Sequence, residues 1–191
     1  MLGDGERFFD VNVAPDGRLV AVVSEDGNGS EDPGVYVSTD DGASWTNITP
    51  NTFPSTHQRS VASFAPSDPS MLYVFSYKGG GSNQGISFHK FTLNEAGTDT
   101  LSTEDRSPNI PDFGGSVGDV NVQGGYNMVV NVKPDDPDYV FVGGINLFRS
   151  ENGFATGPPI MQTVPKPNTG SADILGPTTF RFMKINIRTS M

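Results

Sequence analysis

The sequence predicts an all-β protein of short antiparallel strands, and three observations support this fold class. The 191 residues include 23 Gly and 15 Pro, which favour frequent turns between short strands. Apolar and polar residues alternate over several stretches, as in half-buried strands, and no useful length follows the helical period of about 3.6 residues. One strand–turn–strand pattern is also repeated three times along the chain.

The repeat predicts three hairpins. Each copy consists of an apolar strand, a turn that contains Pro and Asp, and a second apolar strand. The copies are "VNVAPDGRLVAVV" (11–23), "VASFAPSDPSMLYVFSY" (61–77) and "VVNVKPDDPDYVFVGG" (129–144). Pro fixes φ in the turn and Asp bonds to the nearby backbone, so each turn is expected to reverse the chain.

Further strands extend each hairpin. A third strand is predicted after each copy, at 34–39, 85–92 and 145–150, and residues 45–49 add a fourth to the first copy. A unit of about 50 residues with four short antiparallel strands is typical of one blade of a β-propeller. We therefore expect a partial β-propeller of about three four-stranded antiparallel blades.

The predicted propeller occupies residues 1–154, and the sequence changes character after it. The blades are expected at about residues 8–50, 58–105 and 120–154. Residues 1–154 hold eight basic and 21 acidic residues, whereas residues 155–191 hold four basic residues and one acidic residue. This second segment is expected to be an incomplete fourth blade or an irregular tail. Because closed propellers have at least four blades, we expect a piece of a larger propeller whose open sheet edges favour self-association.

The segment "STDDGASW" (38–45) has the residue types of a self-contained turn. Gly42 supplies the freedom in φ that a tight turn needs. The carboxylate of Asp40 can accept backbone N–H groups within the turn, and Ser38 can do the same more weakly. Trp45 can cover the turn and bury a large apolar area. These roles are structural rather than catalytic.

The same residues match a family motif at every defined position. They resemble the Asp box, Ser-x-Asp-x-Gly-x-Ser/Thr-Trp, also called the BNR repeat. It marks a propeller superfamily that includes sialidases, xyloglucan-hydrolysing enzymes and sortilin-type receptors. The resemblance covers about residues 8–154. It implies that the motif lies on the outer rim of a blade, away from the ligand-binding face.

A reduced second copy of the motif is expected in "SENGF" (150–154). Ser150 and Asn152 match the pattern, Gly153 comes one position early, and Phe154 is expected to replace the Trp. The corresponding segment of the middle copy, "HKFTLNEAGTD", has lost the motif.

Charge and composition exclude several function classes. The formal net charge of −10 argues against nucleic-acid partners and anionic membrane surfaces. No apolar run is long enough for membrane insertion. The chain has no Cys, which excludes disulfides and thiolate chemistry. The first residues lack the pattern of a signal peptide, while the resemblance implies an extracellular or cell-surface protein.

Loops that precede the first strand of a blade form the candidate ligand face, since loops on a rigid scaffold carry recognition. They comprise residues 51–60 and 109–126. The candidate contacts are Phe53, His57, Arg59, Asp112, Phe113, Asp119 and Tyr126. The function predicted from them is that of a non-catalytic binding or scaffold module for a protein or a glycan. The remaining blades of the parent propeller are further expected partners.

Two alternatives remain open at this point. A glycoside hydrolase fragment of the xyloglucanase or sialidase type would need two carboxyl groups about 5–10 Å apart in a groove. Asp105, Asp112 and Asp119 lie in suitable segments, but the sequence does not assign a pair. A purely structural spacer would have no groove chemistry.

No cofactor is expected, with one open possibility for Ca²⁺. The segment "DGNGSEDPG" (26–34) places Asp26, Asn28 and Ser30 at the spacing of a calcium loop. Glu31 and Val37 stand where that pattern requires Gly and Glu. A solvated hairpin loop is therefore expected, and no other metal site.

Overall fold

The computed structural model describes residues 9–24, 33–79, 85–111, 120–156 and 160–162. These residues form β-strands and one short 3₁₀ helix, Ser107–Asn109, and none of their helices is long and apolar enough to cross a membrane. The strands are β1 (Phe9–Val13), β2 (Leu19–Val23), β3 (Gly34–Ser38), β4 (Thr46–Asn47), β5 (Arg59–Ala65), β6 (Asp68–Tyr77), β7 (Ile86–Leu93), β8 (Thr100–Asp105), β9 (Val129–Lys133), β10 (Asp136–Gly143), β11 (Leu147–Ser150) and β12 (Ile160–Gln162).

The strands form three antiparallel sheets, each made of four consecutive strands. Sheet 1 contains β1–β4, sheet 2 contains β5–β8 and sheet 3 contains β9–β12. Neighbours in sequence are also neighbours in each sheet, as expected for short connections. The predicted fold class, an all-β chain with propeller-like four-stranded antiparallel sheets, is confirmed.

The three repeated hairpins share one register, which relates positions in different sheets. Asn12, Ser63 and Asn131 occupy equivalent positions, because they pair with Val20, Tyr73 and Phe141 of the second strand. One residue later, the pairs are Val13–Leu19, Phe64–Leu72 and Val132–Val140. Equivalent residues can therefore be compared between sheets without reference to sequence identity.

Sheet 2 lies between the other two sheets. One apolar cluster joins sheets 1 and 2, and a second joins sheets 2 and 3. Along β6, Leu72 and Val74 belong to the first cluster, whereas Tyr73 and Phe75 belong to the second. Because both faces of β6 are buried over residues 72–75, this part of the strand is a continuous apolar run rather than an alternating one.

The first strands of the three sheets are neighbours, with β1 next to β5 and β5 next to β9. Side chains of β1 bind the free edge of β5. Asp10 Oδ2 accepts a hydrogen bond from Ala62 N at 2.7 Å, and Asn12 Oδ1 accepts one from Phe64 N at 3.2 Å. Sheets packed face to face around adjacent first strands have the arrangement of a propeller.

Candidate functional site

In the turn between β3 and β4, hydrogen bonds from residues of the same turn hold the Asp40 carboxylate. Ser38 Oγ donates to Asp40 Oδ1 at 2.8 Å and accepts from Gly42 N at 2.9 Å. Ser44 donates its backbone N–H to Asp40 Oδ1 and its hydroxyl to Asp40 Oδ2, at 2.9 and 2.6 Å. The bonds from Ser44, followed by the one from Ser38, lower the Asp40 pKa to about 2. This carboxylate is engaged by the turn rather than available for acid–base chemistry.

The turn after β11 repeats this geometry with other residues. Ser150 Oγ donates to Asn152 Oδ1 at 2.7 Å and accepts from Phe154 N at 2.8 Å. Asn152 Nδ2 donates to Thr156 Oγ1 at 3.0 Å. Ser150, Asn152 and Thr156 therefore stand where Ser38, Asp40 and Ser44 stand in sheet 1.

Phe154 does not replace Trp45, which corrects the expectation from the sequence. Its N–H binds Ser150 as Gly42 binds Ser38, and its φ of 61° is left-handed like the 83° of Gly42. The Phe154 side chain is buried and packs edge-on to Phe88, with the ring centroids 5.4 Å apart. The left-handed backbone directs this ring into the core between sheets 2 and 3.

The middle turn keeps part of the same geometry although its sequence lacks the motif. Asn94 Oδ1 accepts from Thr98 N at 2.9 Å, and Asn94 Nδ2 donates to Thr98 Oγ1 at 3.4 Å. Asn152 likewise donates to a hydroxyl four residues later, whereas Asp40 accepts from one. The signal that the sequence analysis missed is Asp or Asn followed by Ser or Thr at i+4.

Two of the candidate ligand contacts are core residues, which corrects the expectation that they line an exposed face. Phe53 and His57 are buried, and their rings lie edge to face with centroids 5.1 Å apart. The buried His89 ring lies 5.2 Å from Phe53. Burial lowers the His89 pKa, although the nearby Asp105 opposes this shift. These two side chains of the loop at 51–60 thus point inward, and Phe53 belongs to the apolar cluster between sheets 1 and 2.

Two other candidates lie together on the surface. Arg59 Nη1 donates to the Tyr126 carbonyl oxygen at 3.4 Å. Arg59 is exposed, and Tyr126 exposes 83% of its surface. The remaining candidates lie outside the described residues. They are Asp112, Phe113, Asp119 and the calcium-loop residues Asp26, Asn28 and Ser30.

The loop that carries Tyr126 is anchored on the core. Val120 and Val122 are buried in the cluster between sheets 2 and 3. The Asn121 carbonyl accepts from Ile145 N at 2.9 Å. A side chain on Gly144 would clash with the carbonyl oxygens of Val120 and Asn121. The loop backbone is therefore fixed directly against the β10–β11 connection.

The same loop has an unusual backbone beyond these anchors. Asn121 and Gln123 have φ values of 45° and 49°, and two glycines follow at 67° and 90°. Left-handed conformations of residues other than glycine cost free energy and are concentrated at functional sites. Gln123, Tyr126 and Asn127 are exposed on this loop, and Asn127 Nδ2 donates to Gln123 Oε1. The loop presents an aromatic ring and two amides on a fixed base.

Asp105, the described member of the three acids considered for a carboxyl pair, is bonded to the residues that follow it. Asp105 ends β8, the edge strand of sheet 2, and accepts hydrogen bonds from the Ser107 N–H and hydroxyl. Burial acts to raise the Asp105 pKa, but these bonds, together with the electrostatic influence of His89 and Lys78, lower it overall. A general acid needs a raised pKa. Among the described residues, no group of three or more His, Asp or Glu side chains could hold a metal ion.

Comparisons with known proteins find similarity to solved structures only. No protein-family model and no curated protein matches the chain. A crystal structure of the Niastella koreensis GH74 enzyme is 22% identical, with a TM-score of 0.46, over 75% of this chain and 20% of that chain. A crystal structure of a Dyadobacter fermentans protein of unknown function is 18% identical, with a TM-score of 0.39, over 83% of this chain and 38% of that chain. This chain therefore spans about a fifth of the first protein and about two-fifths of the second.

Proposed function

We propose that this chain is a non-catalytic, propeller-like binding module that engages a glycan or a protein through the Tyr126 loop. The observation that carries the proposal is the difference in burial between side chains of this loop. Tyr126 is 83% exposed, while Val120 and Val122 of the same loop are buried. A large aromatic side chain on an anchored backbone loses little conformational freedom when it binds.

The groups around Tyr126 suit a carbohydrate best. A sugar ring can stack on the phenol face, while its hydroxyl groups need donors and acceptors at the rim. Gln123 and Asn127 supply amide donors and acceptors, and Arg59 supplies guanidinium donors. These three residues are exposed, and Arg59 bonds the Tyr126 carbonyl. A peptide with exposed polar backbone is the second ligand class that these groups could bind.

We further infer that the turns at 38–45 and 150–156 are Asp boxes of the BNR type. Their matching hydrogen bonds, from Ser to Asp or Asn and from the residue at i+4 to Ser, support this assignment. The proposal gives these turns a structural role, because the side chains bind each other. An extracellular or cell-surface location belongs to the same proposal.

A glycan array followed by calorimetric titration tests the proposed function. The wild-type chain is compared with Tyr126→Ala and Arg59→Ala. The matched control is Leu101→Ala, because Leu101 on β8 is 73% exposed and lies in a different sheet from the loop. We expect Tyr126→Ala to weaken binding at least tenfold, Arg59→Ala to weaken it less, and the control to bind like the wild type.

Two results would contradict the proposal. Binding that Tyr126→Ala leaves unchanged would place the ligand elsewhere. Chromatography of the glycan after incubation tests the second point, since cleavage of a glycosidic bond would show that the module is catalytic.

A further inference from the structure

The two histidines of the chain are buried around one aromatic ring between sheets 1 and 2. The ring is that of Phe53, and its centroid lies 5.1 Å from that of His57 and 5.2 Å from that of His89. His57 is 0% exposed and His89 is 1% exposed. Phe53 and His57 belong to residues 51–58, in the connection from β4 to β5, whereas His89 lies on β7. We name residues 51–58 the connecting segment.

Buried side chains, rather than backbone pairing, hold most of the connecting segment. Near its start, Phe53 N donates to Pro50 O at 2.9 Å. At its end, Gln58 N donates to Tyr77 O at 2.8 Å. Residues 55–56, between these two bonds, are exposed. A segment with few backbone bonds and exposed residues can open locally at a lower free-energy cost than a central strand.

The surroundings of His89 oppose its charged form while the connecting segment is in place. Burial is the main cause that lowers the His89 pKa, and Lys78, which follows β6, acts in the same direction. Asp105, which pairs with His89 across β7 and β8, and the backbone of Thr52 act against this shift. Ser87 Oγ lies 3.0 Å from His89 Nδ1. The closed segment therefore keeps the imidazole neutral at pH 7.

The charged groups that sheet 1 brings to this junction are engaged elsewhere. The Asp10 carboxylate accepts the Ala62 N–H at 2.7 Å. Asp16 forms an ion pair with Arg18, whose side chain packs on the turn between β7 and β8 at Gly97. Of the acids named around His89, Asp105 is thus the one that stands opposite it in the sheet.

We propose that protonation of His89 opens the connecting segment, so that the junction between sheets 1 and 2 is an acid-sensitive switch. The closed segment excludes water from the imidazole, and a buried charge is costly. In the open state His89 meets solvent and lies beside Asp105. Both Ser107 bonds to Asp105 end on Oδ1, which leaves Oδ2 to bind the imidazolium. The inference does not rest on the proposed ligand, because opening is measured without one.

The sign of the pH effect follows from proton linkage. The ordinary pKa of a histidine is 6.5, and the closed segment lowers that of His89. The open state therefore binds more protons below pH 6.5, and its population rises as the pH falls. If the closed state binds none, one imidazole raises the ratio of open to closed molecules about 25-fold between pH 7 and pH 5. A closed-state pKa within this range reduces the factor.

Native-state amide hydrogen exchange, corrected for the intrinsic effect of pH on exchange, tests the switch. Protection of the Phe53 and Gln58 N–H groups should fall about 5- to 25-fold from pH 7 to pH 5. Val142 of β10, a central strand of sheet 3, is the internal reference. The two segment amides should be less protected than Val142. Dilute urea should hardly change their exchange, because local opening exposes little surface.

Two variants remove the proposed sensor. His89→Phe and His89→Gln cannot titrate, and each should abolish the pH dependence of protection at Phe53 and Gln58. The matched control is His57→Phe, which removes the other imidazole on the same ring and should retain this dependence. Circular dichroism checks that the variants are folded.

Three results would overturn the proposal. The first is protection at Phe53 and Gln58 that does not change between pH 7 and pH 5 in the wild type. The second is a pH dependence that persists in a folded His89 variant or disappears in His57→Phe. The third is protection at Phe53 and Gln58 equal to that at Val142, with the same urea dependence, because the segment would then open only when the whole protein unfolds.

Discussion

Lys90 and Asp138 join the second sheet to the third through an ion pair of 2.9 Å. The Tyr73 hydroxyl donates to the same carboxylate oxygen at 3.1 Å. The two partners differ in environment, because the Lys90 side chain is 9% exposed and that of Asp138 is 42% exposed. Burial acts to raise the Asp138 pKa, but the hydrogen bond and charge of Lys90, together with the Tyr73 hydrogen bond and the charge of Arg106, lower it overall.

This asymmetry predicts unequal costs for removing each partner. Asp138→Ala leaves a buried ammonium without its carboxylate and should lower the free energy of unfolding by about 1–3 kcal/mol. Lys90→Met leaves a partly solvated carboxylate and keeps the apolar stem, so its cost should be smaller. Urea unfolding of both variants measures the difference. Equal costs, or a larger cost for Lys90→Met, would contradict the prediction.

The Asp40 turn predicts a dependence of stability on acid. The folded pKa of Asp40 is about 2, below its ordinary 3.8, because of the bonds from Ser44 and Ser38. A lowered folded pKa contributes stability above pH 3.8, and this contribution is lost as the pH falls toward 2. Asp40→Asn imitates Asn152 of sheet 3 and cannot titrate. The stability difference between wild type and this variant should therefore shrink between pH 5 and about pH 2 in thermal melts. A constant difference over this range would refute the effect.

The close packing around Gly144 predicts that a larger residue at this position would loosen the Tyr126 loop. A methyl group at this position would clash with the backbone oxygens of Val120 and Asn121. Gly144→Ala should lower the free energy of unfolding by about 1–3 kcal/mol and accelerate amide exchange at Ile145, whose N–H binds Asn121 O.

The control for this prediction is Gly124→Ala in the same loop. Gly124 has open space around it and a φ of 67°, so this change tests the backbone conformation without a clash. It should cost about 1 kcal/mol and leave exchange at Ile145 unchanged. If both variants behave alike, close packing at Gly144 does not fix the loop.

The burial of His89 predicts that stability also depends on pH in a second range, between pH 7 and pH 5. Burial lowers its folded pKa below 6.5, against the opposing influence of Asp105. The unfolded chain then binds a proton before the folded chain does, so stability falls as the pH decreases below 6.5. His89→Phe keeps a ring beside Phe53 but cannot titrate. Its stability should change less between pH 7 and pH 5 than that of the wild type, as measured by denaturant unfolding. Equal slopes would show that His89 is not the group responsible.

The hairpins could be predicted from the sequence because their signals are local. Pro and Asp define each turn, and strand alternation defines each face, so the pairs Val13–Leu19 and Phe64–Leu72 follow from nearby residues. Four consecutive strands then complete each sheet without a distant partner.

The site could be predicted only in part, because burial depends on residues far away in sequence. Phe53 and His57 lie in a segment with the composition of a binding loop, but both are buried, and the Phe53 ring contacts His89 of another strand in the core. The prediction that Phe154 replaces the Trp of the motif was wrong for a related reason. Its left-handed φ follows from the hydrogen bond to Ser150, whereas the sequence pattern suggested only an aromatic residue. The anchoring of Tyr126 through Gly144 likewise needs coordinates.

The confinement of each sheet to consecutive strands has a consequence for how the chain folds during synthesis. Backbone pairing within a sheet involves residues close in sequence, so a sheet can form soon after its fourth strand leaves the ribosome. Only side chains such as Asp10 and Asn12 then reach the edge of the following sheet. Each sheet can therefore complete its backbone pairing before the next one is synthesised, and the contacts between sheets can form as each later sheet follows.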